Sequence, residues 1–289
     1  MFPYIKQIKV NNCYTYQNFN IIDKESKEFK HIILTGKNGS GKTTILNRIG
    51  FLLQSAENGH DIIREIQTRK NQLLQNDTNQ NRQELEQALQ SYNDIELDFF
   101  NDTNEFGLGG QAYSYFSKNK GSFIFSFFRA NRKIHLNEVQ SVTKEADFVD
   151  QLYKSRNPEN FIRHFKQYIV NKKVFEAFDF MNSKTDSIKE SRLFFDKLTL
   201  ILRSIFKDNK IELEFVQENF EFYLILGDLR RVTFNQLSDG FSAFLNILMD
   251  LIMRIDLIRK QTKNFEFNPP GIVLIDEPET HFHIEMQYE

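Results

Sequence analysis

The chain has 289 residues, 40% of them hydrophobic and 26% charged, and a formal net charge of −2 at pH 7. That balance belongs to a soluble globular protein with room for a substantial core, and it excludes the strongly basic field that would by itself mark a nucleic-acid binder. The single cysteine, Cys13, excludes an internal disulfide and fits a reducing, cytoplasmic compartment.

The N-terminal MFPYIKQIKV alternates in the manner of a strand and lacks the charged tip and apolar block of a secretory leader. Tyr4–Val10 is expected as a first strand and Phe19–Ile22 as a second. His31-Ile32-Ile33-Leu34-Thr35 is apolar and β-branched, as a buried strand should be. Directly after it comes Gly36-Lys37-Asn38-Gly39-Ser40-Gly41-Lys42-Thr43, followed by Thr44-Ile45-Leu46 and by Ile49, Phe51, Leu52 and Leu53 at helical spacing. This strand, glycine-rich loop and helix match the phosphate-binding pattern G-x-x-x-x-G-K-[ST]. Glycines let backbone amides turn toward an anion, and the helix start adds its positive dipole end. Lys42 is placed for the β- and γ-phosphates, and the Thr43 hydroxyl for Mg²⁺.

From Asn58 to Asn93 two thin apolar stripes flank Asn76-Asp77-Thr78-Asn79, which predicts a helical hairpin. Strands return at Ile95–Phe100 and Phe123–Phe128, with a flexible turn expected at Gly107–Gly110 between them. The pattern shifts around Asn131–Thr143, Glu145–Lys207 is expected to be mainly helical, and Ile211–Val216 and Glu221–Leu226 are then expected as two strands. Phe241–Ile258 is the most apolar stretch, but Asn246, Asp250, Arg254 and Asp256 interrupt it, so it reads as a buried helix and not as a membrane span.

Two further motifs follow. Gly271-Ile272-Val273-Leu274-Ile275-Asp276-Glu277-Pro278 reads as a strand buried on both faces with two carboxylates at its C-terminal tip, where parallel α/β sheets bind ligands. Asp276 is placed to hold Mg²⁺, and Glu277 to orient and deprotonate an attacking water. Leu237-Ser238-Asp239-Gly240 precedes the long apolar helix, where Ser238 is a candidate cap and also a candidate anion contact.

GKNGSGKT, LSDG and IVLIDEPE in this order resemble the head domain of ABC-type ATPases, in its RecF-, SMC- and OLD-like branch. The ETHFH sequence resembles a variant found among bacterial ATPases of phage-defence systems. The resemblance implies an α/β P-loop NTPase with a mixed sheet, an antiparallel β subdomain plus a parallel core, and an inserted helical lobe. Residues 1–57 and 211–289 would form the nucleotide-binding core, 58–93 a helical hairpin, 94–135 a β segment and 136–210 the lobe. The cofactors implied are ATP and Mg²⁺. Gly36–Thr44 would cradle ATP, with Glu277 and Lys42 catalytic and Thr43 and Asp276 on the metal. Leu237, Ser238, Asp239 and Gly240 would reach the γ-phosphate of ATP held by a second copy, in a head-to-tail homodimer. His281 and His283 would lie in the loop crossing that interface, and Gln140 is the candidate metal-sensing glutamine.

LSDGF lacks the second glycine and the glutamine of the transporter signature, which disfavours a transporter subunit. Sustained heptads for a long coiled arm are also missing. The resemblance implies a later switch histidine beyond Glu289, so the chain is expected to be C-terminally truncated and to bind ATP better than it turns it over. The function expected is an ATP-driven switch in DNA repair or anti-phage defence, with an effector such as a nuclease as partner. The alternatives are an ATP-binding module without efficient hydrolysis and a transporter subunit. Lys118, Lys120, Arg129, Arg132 and Lys133 form the nearest approach to a basic cluster, and solvated charge explains it better than DNA contact.

Overall fold

The computed structural model describes residues 3–13, 16–21, 31–58, 62–92, 95–101, 104–107, 110–119, 121–154 and 161–278. In chain order the first elements are β1 (Tyr4–Cys13), β2 (Tyr16–Asn20), α1 (Lys42–Glu57), α2 (Ile62–Gln75), α3 (Asn79–Tyr92), β3 (Ile95–Asn101), β4 (Asn104–Gly107), α4 (Gly110–Lys118) and β5 (Ile124–Phe128). They are followed by α5 (Glu145–Lys154), α6 (Phe165–Met181), α7 (Thr185–Phe206), β6 (Glu212–Val216), β7 (Glu221–Ile225), β8 (Arg231–Thr233), α8 (Asp239–Thr262) and β9 (Gly271–Ile275). The chain forms two compact units, Met1–Phe127 with Ile258–Asp276, and Phe128–Leu257 with Glu277–Glu289.

In the first unit, β2-β1-β3-β4 make an antiparallel sheet. Its alternation is the one the sequence encodes. Ile8 faces Leu97 and Val10 faces Ile95 across the ladder, all four buried, whereas Lys9 and Glu96 between them point outward with Nζ and Oε1 3.2 Å apart. The register slips between Ile5 and Gln7, which adds one residue to β1 and bends it there. Against this sheet α1 buries Ile45, Ile49, Leu52, Leu53 and Ala56, the 3.6-residue stripe of a core-facing helix.

Several expectations change here. No strand forms at His31–Thr35: Ile33 is 84% exposed, and only Leu34 leans on the core. Apolar, β-branched residues supply propensity, but a strand also needs a neighbour for its N–H and C=O groups, and no described strand runs beside this one. Of the turn expected at Gly107–Gly110, residues 108 and 109 lie outside the described residues; β4 runs to Gly107, and a helix that was not expected, α4, starts at Gly110. The reason is Phe116, whose ring meets Phe99 edge-on at 5.5 Å and Phe123 at 5.4 Å, so that packing draws this segment onto the core. Between the expected helices of the hairpin, Arg69 ties α2 to α3 through Glu84 at 2.7 Å. Ile22, at the end of the expected second strand, lies outside the described residues.

β9 pairs with β5, and this two-stranded sheet stands where a larger core was expected. β9 is not buried on both faces: Leu274 is 8% exposed, but Val273 is 40% exposed. The two chains approach closely at its start, where Ile124 N donates to Pro270 O at 2.9 Å and a Cβ at Gly271 would lie 2.3 Å from the Ile124 carbonyl oxygen.

In the second unit β6, β7 and β8 form an antiparallel meander. Leu224 and Phe222 of β7 enter a core with Phe165 and Ile169 of α6, Leu198 and Leu202 of α7, and Met249 and Met253 of α8. Residues 211–257, expected in the nucleotide-binding core, therefore group with the helical segment 136–210, because they share one apolar cluster. That unit also buries charge. Lys172 Nζ lies 2.8 Å from Asp256 Oδ2 and 4.6 Å from the centre of the Phe194 ring, and Tyr168 donates its hydroxyl to the same carboxylate. Burial, and then the charge of Asp256, push the Tyr168 phenol well above its ordinary range. Among the described residues no helix is long and apolar enough to cross a membrane.

Two stability tests follow from this packing. Gly271→Ala should destabilise the protein by about 1–3 kcal/mol, because the added methyl meets backbone and not a side chain that can swing away; chemical denaturation reads it. Asp256→Ala should cost about 3–5 kcal/mol, the range for stranding one member of a buried ion pair, here Lys172. An unchanged melting curve in that variant would mean that water reaches Lys172.

Candidate nucleotide-binding site

The glycine-rich loop turns on two residues with left-handed backbone, Gly39 at φ 76° and Gly41 at φ 89°. Side-chain-bearing residues adopt that region at a cost, so glycine is needed at both. At Gly36 the constraint is space, since a Cβ would lie 2.9 Å from Ser40 Oγ. Ser40 N donates to Lys37 O at 3.1 Å, closing the loop, and Ile45 N donates to Gly41 O at 3.0 Å, opening α1. Gly41 caps α1 with no side-chain bond, and the first turn carries no carboxylate. Lys37, Asn38 and Gly39 are exposed at the tip, and Thr43 and Thr44 are exposed on the first turn. Lys42 folds back over the loop, its Nζ donating to Gly36 O at 2.8 Å and Lys37 O at 3.1 Å. An ammonium held by neutral carbonyls beside a helix start keeps its positive charge available to an anion.

Asp276 lies just past the end of β9 and is 3% exposed. The Thr43 hydroxyl donates to Asp276 Oδ1 at 3.1 Å, joining residues 233 positions apart in sequence. Both belong to the first unit, so the loop and the late acidic strand meet at one place. The pair fits a hard divalent cation. Adjacent oxygen ligands of an octahedral Mg²⁺ at 2.0–2.1 Å stand about 2.9 Å apart, close to the separation found here. Among the described residues no group of three His, Cys, Asp or Glu could hold a metal alone.

In the second unit Glu277 is exposed and has φ 45°, followed by Pro278. A left-handed glutamate costs about 1–2 kcal/mol, and a following proline restricts it further. The Glu277 carbonyl accepts from Arg132 Nη2 at 2.8 Å, while Arg132 Nη1 donates to Arg129 O at 2.8 Å. Arg132 is 6% exposed, which overturns its place in a solvated basic cluster. Of the other residues of that cluster, Lys133 Nζ lies 2.7 Å from Asp239 Oδ1, and Lys120 is outside the described residues.

Leu237 ends a short 3-10 turn whose start is fixed by a reciprocal Thr233–Gln236 capping box. Ser238 is exposed immediately before α8, and its carbonyl accepts from Ser242 N at 2.8 Å; Asp239 and Gly240 open the helix. The extended segment after Arg129 is pinned to this corner. Ile134 N donates to Ser242 Oγ at 2.7 Å, and Asn235 accepts from Leu136 N at 2.9 Å and donates to Leu136 O at 3.1 Å. Sequence reading passed over Asn235, Ser242 and the buried state of Arg132. The signal was the alternation Arg132, Ile134, Leu136, which places an arginine in an inward register. Gln140 is exposed, and His281 and His283 lie outside the described residues.

A family model described as "AAA domain, putative AbiEii toxin, Type IV TA system" matches residues 32–289. The chain belongs to this AAA-domain family. It is accordingly a P-loop NTPase of mixed α/β structure, with a nucleotide-binding, ATPase-like function of the kind that uses ATP and Mg²⁺. For this AAA domain the Thr43–Asp276 contact sets a direct test. Asp276→Asn should cut the affinity gained on adding Mg²⁺ to ATP by roughly tenfold or more, leaving Mg²⁺-free binding unchanged. Titration calorimetry with and without the metal reads the difference.

Proposed function

We propose that this AAA domain binds and hydrolyses Mg-ATP as an ABC-type head, closing head-to-tail with a second copy and serving as a conformational switch. The observation that carries the reading is the 3.1 Å contact between Thr43 and Asp276, which sets a metal-binding oxygen pair beside Lys42 and the loop amides. The exposed Ser238 at the start of α8 supports the dimeric part, since a hydroxyl at a helix start is a suitable contact for a terminal phosphate. The family's description as a putative toxin of a type IV system supports placing the switch in anti-phage defence ahead of DNA repair, and an effector protein such as a nuclease is the partner we infer.

The chemistry follows from the residue types. Lys42 and the amides of residues 39–43 hold the β- and γ-phosphates and offset the charge that spreads over their oxygens. Thr43 and Asp276 would hold Mg²⁺, which when bound would supply further charge neutralisation at those oxygens. Glu277 takes a proton from water as the water oxygen bonds to the γ-phosphorus; the bond to the β–γ bridging oxygen breaks, and its electrons leave with ADP. Ser238 and Gly240 of the second copy complete the site from across the interface.

Glu277→Gln keeps the shape and removes the base, so phosphate release should fall about 10²- to 10⁴-fold while ATP stays bound. The same variant should run as a dimer with Mg-ATP and as a monomer without it by light scattering, and adding Ser238→Arg should abolish the dimer. A strict monomer under every condition would rule out the shared site, and ATP-dependent dimers without phosphate release by the unmutated protein would favour a binding module.

A further inference from the structure

Glu277 is held in an unusual way. Its backbone is left-handed with φ 45°, proline follows it, and its carbonyl is fixed by a buried guanidinium, Arg132 Nη2 at 2.8 Å. The second arm of the same fork, Nη1, donates to Arg129 O at 2.8 Å. A planar fork anchored at both ends has one orientation, which a flexible ammonium does not. The chain beyond Arg132 is also tied down: Lys133 to Asp239 at 2.7 Å, Ile134 to Ser242 at 2.7 Å, and Leu136 to Asn235 through both backbone groups. Residues 129–136 therefore touch the Glu277 backbone at one end and the start of α8, beside Ser238 and Gly240, at the other.

We propose that Arg132 is a positioning residue for the Glu277 carboxylate. By fixing the Glu277 carbonyl it maintains the left-handed backbone from which the side chain is presented, and through residues 133–136 it links that presentation to the Ser238 loop. The inference rests on the reading of Glu277 as the base that activates water. It assigns Arg132 no contact with nucleotide, so its loss should act on the rate and not on ATP affinity.

Arg132→Lys keeps the charge and length but not the fork, and a single ammonium cannot reproduce the two in-plane bonds. In the full chain this variant should lower kcat at saturating Mg-ATP by roughly tenfold or more, as loss of an orienting outer partner does, with KM and Kd for Mg-ATP within about twofold of the parent. Without nucleotide, hydrogen exchange in the peptide spanning residues 271–278 should accelerate while peptides from β6, β7 and β8 keep their rates. Millimolar guanidinium should restore part of kcat to Arg132→Ala and none to Glu277→Gln, which an arginine serving only the fold would not predict.

Parental kcat in Arg132→Lys, a loss confined to ATP affinity, or faster exchange spread over the whole second unit would each overturn the proposal. Its failure and that of the underlying reading can be told apart. If Glu277→Gln abolishes hydrolysis and Arg132→Lys does not slow it, the positioning role alone is wrong. If hydrolysis is indifferent to Glu277→Gln, the base reading is wrong and the positioning role falls with it.

Discussion

The hydrogen bond from Thr43 to Asp276 is the constraint on which the site depends. It closes a loop of 233 residues at a single pair of oxygens. Neither residue achieves much alone: Thr43 is an exposed hydroxyl on the first turn of α1, and Asp276 a buried carboxylate at the tip of a strand. Their meeting requires that α1 pack through Ile45 and Ile49 and that β9 pair with β5, so the core of the first unit and the chemistry of the loop are a single arrangement.

The second unit is built on a different principle, with polar groups inside. Arg254 grips Asp250 in a two-pronged contact at 2.7 and 3.2 Å and lies 3.9 Å from the centre of the Phe161 ring; Lys166 is buried between Glu138 and Glu221. Burial works against the charge of Lys166, but the two carboxylates outweigh it, and the ammonium is held more firmly than an ordinary lysine. Such pairs add little net stability compared with apolar residues of the same size, but they penalise misplacement heavily.

What could be read from the residues divides along physical lines. The glycine loop was legible because its spacing has a steric cause, and so were α1, the α2–α3 hairpin and β6–β7, whose periodicity is local. His31–Thr35 misled because strand propensity is only half of a strand; pairing is settled by chain far away. α4 was hidden for a related reason. Its sequence, Gly-Gln-Ala-Tyr-Ser-Tyr-Phe-Ser-Lys, opens on glycine, and only the rings of Phe99 and Phe123 give Phe116 somewhere to go. Arg132 was misjudged because charge alone suggests solvent. In the candidate site the acidic pair was visible as letters, but the left-handed turn at Glu277 has no signature in the sequence, since glutamate followed by proline ordinarily signals extended chain.

The close approach at Gly271 reaches further than local packing. Asp276 follows five residues later, just past the end of β9, so the missing side chain at 271, which lets β9 lie close to β5, also bears on how far the carboxylate extends toward α1. A position with no functional group of its own thereby bears on where the Asp276 carboxylate stands. Variation there would disturb the carboxylate while leaving every charged or hydroxylated residue of the site unchanged.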